Sequence, residues 1–84
     1  MFKAIVTVKL RPSILDPEGK AIEHALKSLE FGRLSGVRVG KEIELTVDET
    51  NREAAEKAVD EACRKLLANP VMEDYTIELQ ELTS

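Results

Sequence analysis

Apolar and polar residues alternate through residues 37–47, in the middle of the chain. The odd positions are apolar except Lys41, and the even positions are Arg, Gly, Glu, Glu and Thr. A period of two predicts extended structure with one buried and one polar face. A three-residue loop at 40–42 would place Val39 opposite Ile43 and let Gly40 take a positive φ. We therefore predict a β-hairpin, with residues 35–39 as an edge strand.

Strands are also predicted at both ends of the chain. Residues 2–10 alternate, and Pro12 ends the run because it cannot donate to a strand ladder. Residues 71–82 alternate again and form a long second edge strand.

Two helices are predicted between these strands. Asp16, Pro17 and Glu18 form a helix-start signal, followed by apolar residues at helical spacing and then by Gly32. The second helix begins with the Thr50 to Glu53 capping-box pattern. It carries a stripe rich in alanine and stops at residues 69–70, Asn-Pro.

The predicted order is strand, helix, strand, strand, helix, strand. Two right-handed crossovers around a hairpin give an α+β, ferredoxin-like βαββαβ two-layer sandwich. We expect a four-stranded antiparallel sheet with both helices on one face. At 84 residues the chain fits a single domain, 1–84.

Charge and composition narrow the classes of partner. The net charge of −4 argues against a nucleic-acid partner or an anionic membrane surface. No apolar run approaches the length of a membrane span, and the single cysteine fits a reducing compartment. We expect a cytoplasmic protein.

The sequence shows no constellation of catalytic residues. His24 lies on the polar side of the first helix, and Cys63 lies beside the apolar stripe of the second without a CxxC partner. The acids fall on predicted solvated faces, and the glycines are dispersed. We expect a buried or half-buried structural thiol, and neither a catalytic residue nor a metal or cofactor site in this chain.

Three segments carry a family resemblance. Residues 15–22 (LDPEGKAI), 37–45 (VRVGKEIEL) and 66–75 (LLANPVMEDY) occur in an order and spacing similar to the small PurS subunit of phosphoribosylformylglycinamidine synthase. The resemblance covers nearly the whole chain.

The resemblance implies a non-catalytic assembly subunit of the fourth step of de novo purine synthesis. In that family a large subunit binds ATP with magnesium and formylglycinamide ribonucleotide, and a glutaminase subunit releases ammonia. The small subunit, as a dimer, brings the two together so that ammonia passes between them.

Contact residues are predicted in two groups. Ile14 and Leu15 are apolar residues in a loop before a helix, and Arg38, Lys41 and Glu42 lie at the predicted hairpin corner. These five are candidate contacts with partner subunits, although local packing and solvation also explain them.

The candidate contacts within a homodimer lie on the last strand and on the outer face of the sheet. The long final edge strand invites pairing with a second chain. The residues proposed for this role are Ile5, Met72, Tyr75 and Ile77.

Two other classes of protein remain open from the residues alone. One is a ferredoxin-like regulatory domain that binds a small ligand at a dimer interface, and ligand-dependent thermal stability would identify it. The other is a small dimeric α+β enzyme of the oxygenase or isomerase type, which would need a polar residue inside an apolar cavity.

Overall fold

A computed structural model describes residues 1–82 of the chain. It contains three strands and two helices, and a π-helical turn at Cys63–Leu67 continues the second helix. The elements are β1 (Phe2–Leu10), α1 (Pro17–Ser28), β2 (Gly40–Val47), α2 (Arg52–Ala62) and β3 (Glu73–Glu81). The α+β class is confirmed.

The sheet is antiparallel, with the strand order β2-β1-β3. Val6 lies opposite Ile43 on one side and Ile77 on the other, so these three side chains share one face. On this inner face the alternate residues of β1 are almost fully buried: Phe2, Ala4, Val6 and Val8. The alternation predicted for β1 is confirmed.

Helix α2 covers the inner face above β1 and β3. Ala55, Val59 and Cys63 are buried against the sheet, and the small alanine allows a close approach. Asn51, rather than Thr50, caps the helix, because its Oδ1 accepts hydrogen bonds from the N–H groups of Glu53 and Ala54 at 2.8 and 3.2 Å.

The predicted hairpin is wrong. Residues 40–42, expected to form its turn, lie inside β2, where Gly40 pairs with Lys9. The end of β1 offers these residues ladder partners, so extended pairing replaces the turn. Gly36, not Gly40, has a positive φ, of 68°. Within residues 1–82 the sheet therefore has three strands, and residues 35–39 form no strand.

The prediction that both helices lie on one face of the sheet is also wrong for a single chain. Helix α1 makes very little contact with the strands, and Gly19 is its only buried residue. The Cα radius of gyration is 16.4 Å, with extents of 50 × 30 × 14 Å. A compact chain of this length would have a radius near 12 Å. Residues 16–39 thus form a projecting arm, in which 33–39 return along α1.

Candidate functional site

An uncovered apolar stripe runs along the arm. Helical spacing gives α1 an apolar side, but that side faces solvent in the single chain. The exposed fractions are 41% for Ile22, 67% for Leu29, 52% for Phe31 and 49% for Leu34. Contiguous exposed apolar surface marks an interaction site in soluble proteins.

The inner face of β2 is a second apolar surface that no helix in the described part of the chain covers. Because α2 contacts β1 and β3, the inner face of β2 lies outside its cover. Ile43 and Leu45 on this strand are only half-buried, although their partners Val6 and Ala4 on β1 are fully buried. Among residues 1–82, β2 pairs only with β1, so its other edge is open.

Asp16 joins the first turn of α1 to Val39 at the end of the arm. Its Oδ1 accepts the Gly19 N–H at 2.9 Å as a helix cap, and its Oδ2 accepts the Val39 N–H at 2.7 Å. The side chain is almost completely buried. The bonds from Val39 and then Gly19 hold the pKa of this carboxyl below its usual value, because they stabilise the charged form.

Glu23 forms a second link between α1 and the returning segment. Its Oε1 accepts the Val37 N–H at 3.2 Å, and Lys20 lies 3.9 Å from its other oxygen. The backbone bonds from Val37 and then Gly36 lower the pKa of Glu23.

Arg38 links the end of the arm to the segment that precedes it. Its guanidinium donates to the carbonyl oxygens of Leu10, Arg11 and Ile14 at 3.2, 2.8 and 3.0 Å. The predicted contact residue Arg38 is therefore engaged within its own chain.

The other predicted partner contacts are scattered. Ile14 is half-buried, whereas Leu15 is 67% exposed beside it. Lys41 and Glu42 are exposed neighbours on β2 and so point to opposite faces of the sheet. The structure does not gather these residues into one corner.

The predicted dimer contacts lie in three different places. Ile5 is half-buried on the outer face, where it lies opposite Glu44 and Glu78, and Met72 is exposed in the loop before β3. Tyr75 and Ile77 lie on the inner face instead and pack against the core.

The region around Cys63 has the character of a packed core. Cys63 is fully buried, as predicted, and its structural role stays a prediction. Burial, together with the charge of Asp60, raises the pKa of this thiol. The Tyr75 hydroxyl donates to Asp60, and this hydrogen bond raises the pKa of Tyr75. Within residues 1–82, no group of three or more acidic, histidine or cysteine side chains is placed to hold a metal ion.

Sequence reasoning missed two features of the arm. Asp16 was expected only as a helix cap and Glu23 only as a solvated residue, although both bind the returning segment. No local pattern reports these bonds, because they join residues 14 and 23 positions apart. The apolar residues Phe31 and Leu34, close to Gly32 in a loop, were the available signal of an exposed surface.

Comparison with known proteins decides the family. The family model for PurS, phosphoribosylformylglycinamidine (FGAM) synthase, matches residues 3–81. The chain belongs to the PurS family. The PurS subunit of phosphoribosylformylglycinamidine synthase from Bacillus subtilis is 44% identical over 84 residues, covering 100% of this chain and 99% of that protein.

Solved PurS structures share the fold. Methanocaldococcus jannaschii PurS, one of the subunits of formylglycinamide ribonucleotide amidotransferase in the purine biosynthetic pathway, superposes with a TM-score of 0.89 at 41% identity, covering 99% of this chain and 100% of that chain. A chain in the structure of PurLQS from Thermotoga maritima superposes with a TM-score of 0.87 at 37% identity, covering 94% and 96%. No helix among residues 1–82 has the length and apolar character needed to cross a membrane.

Proposed function

We propose that this chain is the non-catalytic assembly subunit of phosphoribosylformylglycinamidine synthase in purine biosynthesis. It joins a glutaminase subunit to a large ATP-dependent subunit and supports ammonia transfer between them. ATP and magnesium belong to the large subunit. The observation that carries this function is the family match over residues 3–81, together with the PurLQS complex among the structural neighbours.

The single chain leaves apolar surfaces uncovered, as a subunit that functions in a complex would. Its arm carries exposed Ile22, Leu29 and Phe31, and its sheet keeps Ile43 and Leu45 half-buried. Burying such surfaces contributes about 25 cal/mol for each Å² removed from water. An 84-residue chain has a small core, so this contribution is a substantial part of its stability.

We further propose a homodimer in which each arm covers the other copy's sheet. Helix α1 of one copy would pack over Ile43 and Leu45 of its partner, and α2 would remain in place beside it. Both helices would then lie on one face of each sheet. Exchange of an element between identical chains is a common route to a dimer.

The same exchange offers a route to the predicted ferredoxin-like sheet. The observed order β2-β1-β3 is the ferredoxin-like order without the edge strand next to β2. Residues 35–39 of a partner's arm can occupy that open edge by backbone pairing. The four-stranded arrangement would then form between two chains.

Contacts with the other subunits are proposed at the surfaces left outside this exchange. Leu15 is an exposed apolar residue beside the half-buried Ile14, and Lys41 and Glu42 are exposed on β2. Ile5 on the outer face and Met72 before β3 remain candidates for contact between the two copies of this chain.

Reconstitution tests the function. The chain is combined with the glutaminase and large subunits of the same host, and glutamine-dependent formation of formylglycinamidine ribonucleotide is measured. We expect activity to depend on the chain, and the isolated chain to show neither glutaminase nor ATPase activity. Full glutamine-dependent activity of the two other subunits without this chain would contradict the proposal.

A further inference from the structure

The returning segment of the arm is held by side chains rather than by a strand or helix partner. Val37 and Val39 donate their N–H groups to Glu23 and Asp16, respectively. Alternate residues of an extended segment point their backbone groups the same way, so both bonds reach the same side, toward α1. Arg38, between them, turns to the end of β1.

The residue types fit the geometry of this junction. Seven helical residues rise about 10.5 Å, whereas two extended residues span only about 6.7 Å. The short Asp16 therefore sits next to its partner, and the longer Glu23 leans back toward the helix N-terminus to reach Val37.

Gly19 permits the close approach of the two parts. A Cβ atom at this position would lie 2.5 Å from the Val37 carbonyl oxygen and 2.8 Å from Asp16 Oδ2. Any side chain here would push the returning segment away from α1. The glycine and the two carboxylates thus act on the same junction.

We propose that Asp16 and Glu23 are positioning residues for assembly. Their carboxylates hold residues 36–39 against α1, and we call these two contacts the latch. The arm then docks onto another chain as one preformed unit. Helix α1 has very little contact with the strands of its own sheet. The shape of the arm therefore depends on these bonds, together with those that Arg38 makes at the end of β1. A preformed element loses less conformational entropy when it binds. This inference rests on the proposed exchange of arms between two copies.

Two kinds of substitution should break the latch bonds for different physical reasons. In Asp16→Asn and Glu23→Gln the charge is lost, and for Asp16→Asn the amide N–H₂ replaces one of the two oxygens that accept N–H groups. Gly19→Ala changes no charge and favours helix, but its methyl group displaces the segment. Glu56→Gln, at an exposed position of α2, is the matched control for loss of a negative charge.

Hydrogen exchange at the Val37 and Val39 amides measures the latch, and sedimentation velocity measures association. We expect faster exchange at both amides in the double variant Asp16→Asn/Glu23→Gln and in Gly19→Ala, with unchanged exchange in β1. The dimer dissociation constant should rise about tenfold or more, since a hydrogen bond to a charged group contributes that order. Glu56→Gln should match the native chain in both measurements.

The outcomes separate the two proposals. Unchanged exchange at Val37 and Val39 in both latch variants overturns the latch, whether or not the chain dimerises. Open-latch variants that associate as tightly as the native chain overturn the positioning role. A native chain that is monomeric at every concentration overturns the exchange of arms and its docking role, while protected Val37 and Val39 amides in that monomer still support the latch itself.

Discussion

Glycines 36 and 40 show two different physical reasons for the same residue type. Gly36 has a φ of 68°, a conformation that costs other residues energy. Gly40 has no such conformation, but it pairs with Lys9 so closely that a Cβ would lie 2.8 Å from the Val8 carbonyl oxygen. The sequence pattern identified a special glycine in this region and assigned it the wrong reason.

Asparagine distinguishes these two reasons, because it tolerates positive φ but still has a Cβ. We expect Gly36→Asn to change the free energy of unfolding by less than about 1 kcal/mol, whereas Gly40→Asn should lower it by about 1–3 kcal/mol through overpacking. Urea denaturation followed by circular dichroism measures both. Equal losses at the two positions would contradict the assignment.

Cys63 tests whether the buried thiol has any role beyond packing. Cys63→Ser places a hydroxyl in a fully buried position, which should lower the free energy of unfolding by about 1–3 kcal/mol. Glutamine-dependent activity of the reconstituted synthase should remain, measured at a temperature where the variant is folded. Cys63→Ala is the control for volume, and loss of turnover in both folded variants would argue for chemistry at this thiol.

At the scale of elements, α1 has the right sequence pattern but no surface of its own chain to cover. Its amphipathic spacing predicted burial against the sheet, whereas Ile22 and Leu29 are exposed on the arm. The pattern reports that a helix needs an apolar partner surface, and it carries no information about which chain supplies it.

A charged residue on the stripe should weaken self-association and leave the single chain folded. We expect Ile22→Glu and Leu29→Glu to shift sedimentation toward monomer, because both side chains are exposed in one chain and buried in the proposed dimer. Leu66→Glu, at an 83% exposed leucine outside the arm, is the matched control. If Ile5→Lys alone dissociates the dimer, the outer face of the sheet is the interface instead.

The latch also predicts a dependence on pH. The pKa values of Asp16 and Glu23 are lowered, so their contribution to the stability of the arm is present above the unfolded-state pKa values. That contribution is lost as the pH falls through the lowered values, in the range below about pH 4. Protection of the Val37 and Val39 amides, expressed relative to the intrinsic exchange rate at each pH, should fall there more than protection in β1, and Asp16→Asn/Glu23→Gln should remove the difference.

At the scale of the whole molecule, the single chain is too extended for its length. One helix covers one half of the inner face, and the other helix projects with its returning segment. In the proposed dimer, association would complete the core that the single chain leaves open.

The melting temperature should therefore rise with protein concentration, since association stabilises the folded state by mass action. Thermal denaturation over about a hundredfold range of concentration provides the measurement, and Leu29→Glu should flatten the dependence. A melting temperature that is constant over this range for the native chain would show that the single chain is complete by itself.

Local patterns in the sequence determined the elements, and long-range contacts determined how they are arranged. The alternation of residues 2–10 and the Asp16-Pro17 start of α1 could both be read from neighbouring residues. The extent of β2 could not, because residues 40–42 suit both a turn and a strand, and only pairing with the end of β1 favours the strand. The place of α1 was equally undetermined, because an apolar stripe fixes the need for cover but not its source. The bonds from Val37 and Val39 to Glu23 and Asp16 are likewise visible only in the tertiary structure, because they join α1 to a segment that is distant in the sequence.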